Sequence, residues 1–75
     1  MLTGMARYDL NYLIKRVLAV AVNREMQNMT AYDIAIAAGT GLNYAYLIRK
    51  CLMDLGVLDE RGKVNLEAAK QFLGG

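Results

Sequence analysis

Residues 29–58 read MTAYDIAIAAGTGLNYAYLIRKCLMDLGVL, and the fold turns on this stretch. Thr30 stands where a helix cap is needed, with an acid, Asp33, three residues on. A hydroxyl that accepts from the third helical amide, and an acid that reaches back to the cap, form a capping box. Met29 before the cap and Ile34 four residues after it make a candidate hydrophobic staple. A helix is predicted over Ala31–Ala38. Gly39 ends it, because glycine takes the left-handed backbone at a helix end without a Cβ penalty. Thr40, Gly41 and Leu42 form a tight turn, and Asn43 is a suitable cap for the next helix. In that helix Tyr44, Ala45, Ile48, Cys51, Leu52 and Leu55 make the inner stripe. Tyr46, Arg49, Lys50, Met53 and Asp54 lie outside it, and Gly56 closes it.

Upstream, Met1–Met5 read as a frayed lead-in. Leu10, Leu13, Ile14, Val17, Leu18 and Ala21 then share one face of a 3.6-residue repeat, so a first helix is expected with Asp9 at its start. It leaves the core near Arg24 and Glu25, and Gln27–Asn28 connect it to Thr30. Its outer face carries Tyr8, Tyr12, Ala19, Val22 and Met26, interrupted by Lys15. These are either scattered surface hydrophobes or a homodimer face. Downstream, Val57-Leu58 and Lys63–Leu66 flank the charged turn Asp59–Gly62, the pattern of a short β-hairpin. Leu66, Ala69, Phe72 and Leu73 then fall at helical spacing, a closing helix suited to pack on the first one. The expected class is mainly α with a small hairpin, one domain over residues 1–75.

Size and composition set bounds. Seventy-five residues bury only about 60% of their unfolded surface. Yet 56% of the residues are hydrophobic, more than so small a core needs, which points to a second buried surface such as a homodimer interface. Cys51 is the single cysteine and there is no histidine, so neither an internal disulfide nor a zinc site is expected. Cys51 reads as a small core residue, and a lone cysteine fits the cytoplasm. The longest apolar run, Val17–Val22, is too short to span a bilayer, and no secretory signal opens the chain. No cofactor is expected. Without histidine, a glycine-rich phosphate loop or a pocketed acid pair, an enzyme is not expected either.

The order helix, helix, turn, helix, hairpin resembles the winged helix-turn-helix superfamily. The likeness rests on Ile34-Ala35 in the second helix, on Gly39, and on Leu52–Gly56 followed by Val57-Leu58, with Asp59–Lys63 as the wing tip. The helix-turn-helix would span about 30–56 and the wing about 57–66. Tyr8-Asp9-Leu10, the stretch Asn43–Lys50 and Arg61-Gly62 look like the repressors that sense iron–sulfur clusters. The cluster cysteines and the long dimerisation helix of those proteins are missing, so cluster sensing is not carried over. Either an excised domain or a compact relative fits this pattern.

The resemblance implies double-stranded DNA as the partner, a transcriptional role and a homodimer. The third helix would enter the major groove. Thr40 and Asn43 would stand at its entrance, with Tyr46, Arg49 and Lys50 further along. Asparagine pairs with adenine and arginine with guanine. Thr40 or Tyr44 would instead hold phosphate, while Arg61 and Lys63 on the wing reach the backbone or minor groove. Lys15, Arg16 and Arg7 would add phosphate contacts. Each has a plainer reading: Arg49 and Lys50 as solvated charges, Asn43 as a cap only, Arg61 paired with Asp59 or Glu60. The net charge is only +2. Asp59, Glu60 and Glu67 cancel Arg61, Lys63 and Lys70, so a monomer would bind DNA weakly. That thin charge, with Tyr8, Tyr12, Tyr46 and Met53 outward, keeps open a protein–protein interaction module in a replication or transcription assembly.

Overall fold

The computed structural model describes residues 9–74 and contains four helices: α1 (Leu10–Asn23), α2 (Ala31–Ala38), α3 (Leu42–Asp54) and α4 (Leu66–Gly74). The lead-in Met1–Met5, Arg7 and Tyr8 lie outside the described residues. Asp9 caps α1, its side chain accepting from the Asn11 amide at 3.1 Å. The buried residues of α1 are Leu13, Ile14, Val17, Leu18 and Ala21, the stripe read from spacing; Leu10 is half-buried at its start. The helix stops at Arg24, and Glu25 takes a left-handed φ of 50° that turns the chain away.

The capping box on α2 forms in full. Thr30 Oγ1 accepts from the Asp33 amide, and Asp33 Oδ2 accepts from the Thr30 amide at 2.8 Å. Met29 and Ile34 are both buried, so the staple closes under the cap. Gly39 ends α2 at φ 72°, and residues 39–41 alone join α2 to α3. Asn43 is not the cap of α3. Gly41 takes the extended cap conformation, its carbonyl accepts from the Ala45 amide at 3.1 Å, and the helix starts at Leu42. The earlier start sets Ala45, Ile48 and Leu52 into the core with no exposed surface. Leu55 drops out of the expected inner stripe and is exposed just past the helix.

The expected β-hairpin is reduced to single antiparallel bridges, Leu58 with Val64 and Asn28 with Lys63, and strand is nearly absent among the described residues. The cause lies in where the backbone donors go. The amides of Val57 and Leu58 both bond to the Leu52 carbonyl, at 2.9 and 3.2 Å, and so finish α3 instead of feeding a ladder. On the other arm, Gly62 and Val64 turn to the segment before α2: Met29 N–H donates to the Gly62 carbonyl and Val64 N–H to the Gln27 carbonyl, each at 2.8 Å. The α1–α2 connection is therefore stitched to the turn that follows α3. Asn65 begins α4, its side chain accepting from the Ala68 amide.

One core gathers Val17 and Leu18 of α1, Met29, Ile34 of α2, Ile48 and Leu52 of α3, and Val57. Each such side chain contributes about 1.5–3 kcal/mol on full burial. Ala69 of α4 is fully buried, and α4 packs on α1 as expected. The radius of gyration is 11.8 Å, close to the roughly 11 Å of a single domain this long. None of the helices is long and apolar enough to cross a membrane.

Candidate nucleic-acid interface

The outward face of α3 is built by subtraction. Ala45, Ile48 and Leu52 point inward, and at about 100° per residue the opposite face carries Asn43, Tyr46, Leu47 and Lys50. All four are exposed. Starting the helix at Leu42 places Asn43 in its first turn with its amide group facing out, a better position for contact than a cap would have been.

Arg49 does not project freely. It is half-buried, and its Nη2 donates to the Glu60 carbonyl at 3.2 Å. The side chain thereby ties the middle of α3 to the tip of the Asp59–Gly62 turn. In the folded chain Arg49 makes a positioning contact, because the turn comes within reach of the guanidinium. Thr40 is half-buried, its hydroxyl donating to the Gly41 carbonyl at 3.2 Å. Tyr44 is half-buried against the core. Both line a cleft of about 500 Å³ together with Tyr12, Arg16 and Gly39, Thr40 from the turn before α3 and Tyr44 from its first turn, on a side other than the outward face.

The turn is organised by Asp59. Its Oδ1 accepts from the Arg61 amide at 2.8 Å and the Lys63 amide at 2.9 Å. The Lys63 amide above all, helped by the Arg61 amide and the two cationic side chains, outweighs the opposing effect of desolvation and holds the Asp59 carboxyl below its ordinary pKa. The carboxylate is folded onto the turn backbone, while Arg61 and Lys63 remain exposed. Arg61 meets Asp59 through its backbone amide.

The residues expected to form a dimer face divide. Tyr12 is exposed and Ala19 half-buried, but Val22 and Met26 are half-buried and packed against the core, so they are not an open outer face. The chain folds back at Glu25, with Met26 N–H bonded to the Ala21 carbonyl at 2.9 Å, and this draws Met26 inward. Tyr8 is outside the described residues. Sequence reasoning missed three exposed apolar residues: Leu47 on α3, and Tyr32 and Ile36 on α2. Angular spacing was the available signal. Leu47 is four residues from Asn43, and Tyr32 and Ile36 are four apart on the side away from Ile34 and Ala38. Comparison with protein-family models, curated proteins and solved structures returns no match.

Proposed function

We propose that the chain is a winged-helix-type double-stranded DNA-binding protein, a cytoplasmic transcriptional regulator acting as a homodimer. In this reading α3 lies in the major groove. Asn43, Tyr46 and Lys50 face the bases, and Arg61 and Lys63 reach the flanking backbone. Thr40 and Tyr44 stand beside the helix start, in reach of phosphate. Tyr12 and Ala19 remain of the homodimer face on α1.

The observation that carries the reading is the coupling of α3 to the turn that bears Arg61 and Lys63. The Arg49–Glu60 hydrogen bond and the stitching of Gly62 and Val64 to residues 27–29 fix Arg61 and Lys63 relative to the exposed face of α3. A rigid pair of neighbouring contact elements is what groove recognition with backbone anchoring requires.

Fluorescence anisotropy on a labelled DNA duplex across a salt series tests this. Binding at low salt should fall steeply as salt rises. Lys50→Glu with Arg61→Glu, both on exposed positions, should lower affinity by about tenfold or more and reduce the salt slope by about two. Unchanged binding in that variant, with its helical content intact, refutes the placement of α3.

The exposure of Leu47 beside Tyr46 favours a second reading, a winged-helix protein-interaction module. Absence of duplex binding even at low salt would select it.

A further inference from the structure

α2 reads AYDIAIAA, with Asp33 its only charged residue, and Asp33 is occupied by the capping box. A helix that is apolar on all sides is ordinarily covered on all sides. Here only one side is. Ala31, Ile34, Ala37 and Ala38 are buried, whereas Tyr32 is 68% and Ile36 81% exposed. These two are the most exposed large apolar side chains among the described residues, and they sit one helical turn apart.

Ile36 also borders an open groove of about 360 Å³ between α1 and α2. Val20, Met26 and Ala37 give it an apolar lining. Arg16 and Arg24 flank it from α1, eight residues and so about 12 Å apart along the helix. Asp33 is the acid on the α2 side, and its Oδ2 accepts from both the Thr30 amide and the Thr30 hydroxyl. Two guanidiniums against one carboxylate leave the groove net positive around an apolar centre.

We infer that the α1–α2 groove, with Ile36 as its apolar lip and Tyr32 exposed one helical turn from it, docks an acidic amphipathic helix of a partner protein. The apolar stripe of such a helix covers Ile36 and Tyr32 and fills the groove, while acids about two turns apart meet Arg16 and Arg24. A second copy of this chain fits less well, since a two-fold contact here brings Arg16 and Arg24 towards their own counterparts. A nucleic acid fits less well too, because Ile36 and Tyr32 stand where phosphates would have to lie. Its apolar residues Ile36 and Tyr32 belong to α2, while Arg16 also borders the cleft of Thr40 and Tyr44.

The test uses the full chain and a fluorescent synthetic helical peptide of about five turns. Leucines lie along one face of the peptide and glutamates elsewhere; a matched peptide carries lysines for the glutamates. The glutamate peptide should bind and the lysine peptide should not. Ile36→Asp should weaken binding by about tenfold or more, and Arg16→Glu with Arg24→Glu should reverse the preference between the peptides. Ile36 is exposed, so Ile36→Asp should keep the circular dichroism of the wild type, and it should bind duplex DNA as the wild type does. Equal binding of the two peptides, or none, overturns the inference. So does a dimer in sedimentation that Ile36→Asp converts to monomer, or duplex binding that is lost in Ile36→Asp. Failure of duplex binding in the wild type bears only on the DNA reading.

Discussion

Gly62 and Gly56 offer a paired measurement of how much the stitched turn matters. Both take a left-handed φ, 82° and 79°. A side chain in that conformation costs about 1–2 kcal/mol. At Gly56 a Cβ would meet nothing within 4 Å, so Gly56→Ala should cost that amount and little more. At Gly62 the same Cβ would lie 2.8 Å from the Met29 carbonyl oxygen and 3.7 Å from its carbonyl carbon. Backbone cannot swing aside as a flexible side chain does. Relief requires the Met29 segment to separate from residue 62, which loses the 2.8 Å hydrogen bond from Met29 N–H to the Gly62 carbonyl. That loss is worth about 1 kcal/mol. Met29 is only 2% exposed, so its displacement disturbs the core by about another 1–3 kcal/mol. Gly62→Ala should therefore cost about 3–6 kcal/mol, against a total stability of about 4–11 kcal/mol for a chain of this length. Urea unfolding followed by far-ultraviolet circular dichroism measures both variants on one scale. If Gly62→Ala falls within about 0.5 kcal/mol of Gly56→Ala, a resolution usual for such comparisons, the close approach at Met29 is wrong.

Thr30→Ala removes the hydroxyl that accepts from Asp33 N–H, and should lower stability by about 1 kcal/mol, seen as a reduced urea midpoint at unchanged slope. Asp59 has a folded-state pKa below its ordinary value, so its contribution to the turn is present above the ordinary carboxylate range and is lost as pH falls through the lowered value. The amide resonances of Arg61 and Lys63 should move at a lower pH than an ordinary aspartate would give; in Asp59→Asn that movement should vanish. Arg49→Ala should accelerate amide exchange over residues 60–62 by releasing the Glu60 carbonyl, whereas Lys50→Ala should leave exchange there unchanged. Equal exchange in both variants would remove the positioning role of Arg49.

Much of the helical frame was legible in the residues because local chemistry fixes it. The capping box at Thr30, the glycine stop at Gly39 and the inward stripes of α1 and α3 each depend on a few neighbouring residues. The candidate interface was legible only in part. Asn43, Tyr46 and Lys50 follow from helical periodicity, but the half-burial of Arg49 depends on a turn eleven residues further on coming within hydrogen-bonding distance. Leu47 follows from the same angular spacing, four residues from Asn43 on the outward face of α3. Val22 and Met26 were misjudged as open surface because the fold-back at Glu25 is a backbone conformation that no residue pattern announced.

The stretch from Met29 to Leu58 thus determined by itself that two helices follow one another across a short glycine turn, since capping and termination are interactions within a few residues. It did not determine what becomes of the segment after them. Val57-Leu58 and Lys63-Val64 carry the alternation of a hairpin, yet only Asn65 N–H to the Val57 carbonyl and Asp59 N–H to the Lys63 carbonyl join the arms, and their other backbone groups are divided between α3 and residues 27–29. Tertiary structure made that choice. A backbone donor bonds to whichever carbonyl the packed helices bring near, and the proximity of residues more than thirty positions apart is a property of the assembled core.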